Sequence, residues 1–129
     1  MLLVRTILKP SPIHGIGLFA AERIAQGTPV WRVAKEFDRV LPPVIRLRFP
    51  QYLTLLQRYA QRCPMTDQYV LCVDDAKYMN HSDDPNVLVR APLWDARLTH
   101  DAIRDIEEGD ELTCDYRIGD ADPFEGFAA

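Results

Sequence analysis

Residues 78–86 read Tyr78-Met79-Asn80-His81-Ser82-Asp83-Asp84-Pro85-Asn86. Two asparagines, two aspartates, a histidine and a serine so close together rule out a core strand. The ordinary reading of such a stretch is an exposed turn, because Asn, Asp and Ser bond their own backbone. The neighbours point elsewhere. Tyr69 to Val73 and Val87 to Arg90 are apolar and rich in β-branched or aromatic residues, and each reads as a strand. Flanked in this way, the polar stretch crosses the interior. Buried polar groups must then be satisfied by protein or by a ligand.

Two more segments have the same mixed character. Ser11-Pro12-Ile13-His14-Gly15-Ile16-Gly17-Leu18-Phe19-Ala20 begins with turn chemistry and continues as a short strand. Gly15 and Gly17 present no Cβ, so a ligand can approach the backbone closely there. A tight hairpin explains the same pattern. The third glycine and long helix of a dinucleotide-binding turn are missing. The other segment, Asp105 to Tyr116, is an acidic turn feeding a strand that ends on a tyrosine.

Further strands are expected at Leu2 to Leu8, Pro29 to Val33, Arg97 to Ala102 and Glu111 to Cys114. Between residues 51 and 62 the period changes. Tyr52, Leu55, Leu56 and Tyr59 share one helical face, with Arg58 and Arg62 toward solvent and Pro50 at the first turn. This helix reads as packing. Ala20 to Val30 and Ala102 to Leu112 echo one another at Ala, Ile and Gly. The echo implies one local task performed twice, a tight turn feeding a strand.

The chain of 129 residues suits a single domain spanning 1–129. Its 47% hydrophobic and 26% charged residues are those of an ordinary globule. No run reaches the roughly 18 apolar residues of a membrane span, and Met1-Leu2-Leu3-Val4-Arg5 breaks too soon for a signal peptide. An intracellular, cytoplasmic setting is expected. Cys63, Cys72 and Cys114 form no CxxC pair, which argues against a metal site or disulfide framework. Residues 1–62 carry ten Lys/Arg and three Asp/Glu, whereas 63–129 carry five and sixteen. An acidic half suits a basic partner or is simply a solvated face. Nucleic-acid binding, which wants clustered cations, is disfavoured.

Together and in this order, the three segments resemble the SET domain. Gly15-Ile16-Gly17, followed by Leu18-Phe19-Ala20 and the turn from Ile24 to Gly27, is similar to its N-terminal GxG region. Asn80-His81-Ser82 with Pro85-Asn86 is similar to its NHSxxPN motif. Gly109-Asp110-Glu111-Leu112-Thr113 with Asp115-Tyr116 is similar to its GEELTxDY motif. The resemblance spans about residues 3 to 120. It implies a mainly β fold, a β-clip of short sheets with a helical insert at about 35–68. It also implies a C-terminal pseudoknot, a threading that general topology rules disfavour.

The activity implied is methyl transfer from S-adenosylmethionine to a lysine of a protein or peptide. By the same resemblance Gly15, Ile16, Gly17, Asn80 and His81 would hold the cofactor, Asn80 by the amino or carboxylate end and His81 through its backbone to the adenine. Tyr116 would be catalytic, at the meeting of cofactor pocket and lysine channel.

The chain departs from the family pattern at several places. Asp83 stands where a cysteine is usual, Lys77-Tyr78 replaces Arg-Phe, and Asp110 replaces a glutamate. No zinc-binding cysteines follow Tyr116 or precede the GxG region. The tail at 117–129, with Phe124 and Phe127, would have to wall the substrate channel, or a second subunit in a homodimer would. A catalytically inactive SET-like binding module is one alternative. A metal-dependent hydrolase built on His81, Asp83 and Asp84 is another.

Overall fold

The computed structural model describes residues 1–90 and 98–121 of the chain. Strand β1 (Thr6–Pro10) turns back into β2 (Ile16–Ala20). In the turn, the Ser11 amide donates to the Gly15 carbonyl at 2.8 Å, and Gly15 holds φ at +47°. A side chain at this φ is strained, so glycine closes the hairpin. The first strand begins later than Leu2. Leu2 instead makes a single bridge to Trp31 and donates its amide to Asp74.

Next come β3 (Pro29–Arg32), β4 (Arg39–Leu41), α1 (Ile45–Arg48) and α2 (Leu53–Tyr59). They are followed by β5 (Ala60–Arg62), β6 (Tyr69–Leu71), β7 (Asn80–His81) and β8 (Val87–Arg90). The described chain ends with β9 (Thr99–Ala102), β10 (Thr113–Cys114) and α3 (Tyr116–Gly119). Three sheets result: β1-β2, the five-stranded β3-β9-β8-β10-β7, and β4-β6-β5. The fold is the expected set of short sheets.

The helix expected over 51–62 is shorter than its apolar period suggested. Ala60 turns extended and pairs with Leu71, so residues 60–62 leave the helix as β5. Of the four residues on the apolar face only Leu56 is buried, at 3% exposure, whereas Tyr52 and Tyr59 are about half exposed. The reason is scale. A two-turn helix resting on three-residue strands covers only Leu56, Ala60 and Tyr69 in a core of its own. Arg62 is also not a solvent residue, because it is half-buried and ion-paired with Asp67.

The echoed segments pair with each other. Ile24 and Ile106 exchange both backbone hydrogen bonds at 2.8 Å. The Gly27 amide donates to the Ala102 carbonyl at 2.7 Å, and the Gly109 amide donates to the Ala20 carbonyl at 2.8 Å. Both glycines have positive φ, and both isoleucines are buried. The repeat in sequence is thus a local two-fold contact at the centre of the fold.

Strand β10 lies between β7 and β8 and runs parallel to both. The connection 82–86 must therefore return across β10 from the end of one parallel neighbour to the start of the other. This is the pseudoknot. Asn86 locks it: its Nδ2 donates to the Glu111 carbonyl at 2.8 Å, and its Oδ1 accepts from the Thr113 amide at 2.9 Å. The Ser82 amide adds a hydrogen bond, donated to the Cys114 carbonyl at 3.0 Å. Leu18, Ile24, Val30, Trp31, Val87, Leu98, Ile106 and Leu112 fill the main core around this crossing. The polar stretch is interior at its two ends, where Asn80 and Asn86 are buried, but Asp83 and Asp84 between them are exposed.

Candidate functional site

A cavity of about 370 Å³ opens between the first hairpin, the segment 76–80, α3 and the end of α2 with β5. His14, Gly15 and Ile16 form one wall, Gln57 to Gln61 another, and Met79, Asn80, Cys114 and Tyr116 lie between them. The size falls within the range of about 300–1,000 Å³ usual for ligand sites. Of the residues singled out from the sequence, Gly15, Ile16, Asn80 and Tyr116 line it directly. Gly17 and His81 are not among its lining residues. Phe124 and Phe127 lie outside the described residues.

The two glycines do different work. A Cβ on Gly15 would meet nothing within 4 Å, so the backbone there is open to a ligand. A Cβ on Gly17 would fall 2.2 Å from Glu111 Oε1. Gly17 therefore makes room for a carboxylate of the protein itself.

Asn80 is held through its amide nitrogen. Nδ2 donates to the His14 carbonyl at 3.0 Å, to the Ile16 carbonyl at 3.4 Å and to Glu111 Oε1 at 2.9 Å. The NHS strand and the GxG loop are tied together by this one side chain. His81 turns its ring the other way. Nδ1 accepts from the Tyr116 amide at 3.2 Å, which leaves the proton on Nε2, 3.2 Å from Asp83 Oδ1. Asp83 also takes Arg117 at 2.9 Å, and Arg117 grips Asp115. The residue in the usual cysteine position is thus part of an ionic cluster around the start of α3. The hydrogen bond from Arg117 is the largest influence holding the Asp115 carboxyl below its ordinary range.

Tyr116 follows directly from the threaded strand, so the pseudoknot delivers it to the cavity. Its hydroxyl donates to the Met79 carbonyl at 2.6 Å. Burial pushes its ionisation up, and the negative charges of Asp120 and Glu111 push the same way. The phenol stays protonated at neutral pH, so it serves as a donor and not as a base. Cys114 is likewise a thiol, pushed up to about 12 by burial and by Asp115. Also lining the cavity, Trp31 and His100 have buried nitrogens, Nε1 and Nδ1, with no hydrogen-bond partner among the described residues. Sequence reasoning missed both, along with Ser11 and Glu111. Nothing in a strand pattern distinguishes a packed tryptophan from one bordering a cavity.

The cavity fits S-adenosylmethionine in its donor set. Its wall offers open backbone at Gly15, and Asn80 Oδ1 takes no donor among the described residues. An acceptor open to the cavity can take a donor from a ligand.

Comparison with known proteins agrees with the fold. A Plasmodium falciparum protein named "Putative histone-lysine N-methyltransferase 1" is 28% identical over 123 residues, covering 90% of this chain and 2% of that protein. A humanized mutant of the Chaetomium thermophilum Polycomb Repressive Complex 2, bound to the inhibitor GSK126, superposes with a TM-score of 0.69 at 21% identity. That match covers 94% of this chain and 16% of the other. A structure described as ctPRC2 in an autoinhibited conformation bound to S-adenosylmethionine gives a TM-score of 0.69 at 20% identity, covering 96% and 16%. The chain therefore spans a small part of each of these relatives. The family model described as "SET domain" matches residues 15–117, which include all three motif segments and the threaded strand, and the chain belongs to that family.

Proposed function

We propose that the chain transfers a methyl group from S-adenosylmethionine to a lysine side chain of a protein substrate. The observation that carries this reading is the single cavity joining the GxG loop and Asn80 to Tyr116 and the insert. Family membership supports it, as do the name of the Plasmodium relative and the cofactor in one structural neighbour.

The backbone at Gly15 and Ile16 and the Oδ1 of Asn80 would hold the cofactor. The bound cofactor supplies a methyl on a sulfonium, open to attack by an amine in line. The chain's own residues do the rest. A lysine amine must be neutral to attack, and its ordinary pKa near about 10.4 leaves little of that form at pH 7. Met79, Val70, Ala60 and Trp31 provide an apolar lining that disfavours the ammonium. Tyr116 lines the cavity and is held at one orientation by its bond to the Met79 carbonyl. Its role is to position the amine and keep the reacting atoms in line.

The test is incubation of a cell extract with the protein and labelled S-adenosylmethionine, followed by identification of the labelled residue. Label on lysine is expected. Tyr116→Phe keeps the ring, so S-adenosylhomocysteine affinity should hold within about twofold while transfer falls on the order of a hundredfold. Cofactor binding without transfer to any protein would favour the inactive binding module. Full turnover by Tyr116→Phe would make Tyr116 a packing residue.

A further inference from the structure

A second cleft, of about 280 Å³, lies where α1 and α2 meet the sheet β4-β6-β5, and it shares no lining residue with the first cavity. Leu41 of β4 and Leu71 of β6 line it from the sheet, Ile45 from α1, and Leu55 and Leu56 from α2. Phe49 and Tyr52, in the link between the helices, complete the lining, with ring centroids 6.3 Å apart. The cleft presents no polar surface, yet Phe49, Tyr52 and Leu55 are between 42% and 54% exposed. Single apolar residues at a surface are ordinary, whereas a concave cluster of them marks an interaction site.

The charge around the cleft has one sign. Residues 39–66 hold five arginines and no aspartate or glutamate. Arg46 and Arg62 both pair with Asp67. Arg39, Arg48 and Arg58 are exposed and pair with no carboxylate among the described residues. Each of these three stands beside a lining residue. Arg39 is the cross-strand partner of Leu71, so the two side chains share one face of the sheet. Arg48 follows Ile45 by three positions on α1, and Arg58 follows Leu55 by three on α2, which makes each pair neighbours on a helix surface.

We propose that this cleft docks an acidic amphipathic helix of a partner protein. The site is independent of the methyl-transfer reading. Apolar walls offer no hydrogen-bond partner, so a backbone lying against them must satisfy its own groups, as a helix does. Large apolar side chains at i, i+3, i+4 and i+7 fill the cleft, and flanking aspartates or glutamates meet Arg39, Arg48 and Arg58. A second copy of the chain fits less well, because a two-fold contact through this face sets the same arginines against one another. An anionic membrane shares the charge preference, but a cleft receives side chains, whereas insertion into lipid needs side chains that project.

The experiment is selection from a random peptide display library on the full chain, followed by fluorescence anisotropy with the enriched peptides. Net-acidic peptides with large apolar residues at helical spacing are expected. Leu55→Asp places a charge in the cleft wall at a half-exposed position and should weaken their binding at least about tenfold. Arg39→Glu combined with Arg48→Glu, both at exposed positions, should weaken it by a similar factor. The same double variant should bind the lysine-for-glutamate version of each peptide better than wild type does. Circular dichroism checks that each variant is folded; if Leu55→Asp is not, the charge reversal decides alone. Selection without an acidic bias, or acidic peptides that bind both variants as tightly as wild type, would overturn the proposal. A dimer seen by sedimentation and abolished by Leu55→Asp would overturn it in favour of a second copy. Binding to phosphatidylserine–phosphatidylcholine vesicles that Leu55→Asp abolishes would overturn it in favour of a membrane.

Discussion

Mild acid should destabilise this fold through one imidazole. His100 lies on β9, its ring 5.1 Å from that of Trp31 in an edge contact. It is buried, and its pKa is pushed down from 6.5 to about 4. Burial is the main cause; the charges of Arg32 and the N-terminus add to it, and Asp101 opposes it. The folded value lies below the unfolded one, so the unfolded chain binds the proton more readily. Stability due to the neutral ring is complete above the unfolded value and is lost as the pH falls toward the folded one. At about 1.4 kcal/mol per pKa unit, the loss is roughly 2 kcal/mol by pH 5 and roughly 3 kcal/mol by pH 4. Urea unfolding of wild type and His100→Phe at pH 7 and pH 5 measures it. The variant lacks the titration, so the stability difference between the two proteins should move by about 2 kcal/mol in the variant's favour at pH 5. Titration of the carboxylates, Asp67 and Asp115 among them, is common to both proteins and cancels. Parallel pH profiles would refute the reasoning, because they would place the His100 proton in contact with solvent in the folded state.

The two glycines of the hairpin should respond differently to alanine. Gly17→Ala drives a Cβ into the Glu111 carboxylate and should cost about 2–3 kcal/mol in urea unfolding, with loss of S-adenosylhomocysteine affinity. Gly15→Ala meets no neighbour and should cost only the roughly 1–2 kcal/mol of its left-handed backbone; the reverse order would contradict the assignment. Asn86→Ala strands the Glu111 carbonyl and the Thr113 amide on the threaded strand and should cost about 2–4 kcal/mol. A loss below about 1 kcal/mol in the same assay would mean that other contacts hold the pseudoknot.

Much of the fold was legible before any coordinates. The flanking apolar strands pointed the polar run at 78–86 inward, and Asn80 and Asn86 are buried, whereas Asp83 and Asp84 between them face solvent. The echo of Ala, Ile and Gly marked two equivalent turns, because positive φ at glycine and a buried isoleucine leave a trace in composition. The motif order placed Gly15, Ile16, Gly17, Asn80, His81 and Tyr116 in one site; one cavity is lined by Gly15, Ile16, Asn80 and Tyr116 but not by Gly17 or His81.

Other features depend on contacts between residues distant in the chain, and no local pattern encodes them. The helical period at 51–62 looked like a long packed helix, but pairing with β6 took residues 60–62 into a strand. The open φ of Gly15 and the crowded Cβ position of Gly17 are indistinguishable as letters. Only the folded chain brings Glu111 across from 94 residues away to fill one and leave the other clear. The motif supplied Asn80 as a ligand candidate. The tertiary structure decided which end of its amide faces the cavity, because hydrogen-bond polarity is set by the acceptors that surround a group in space.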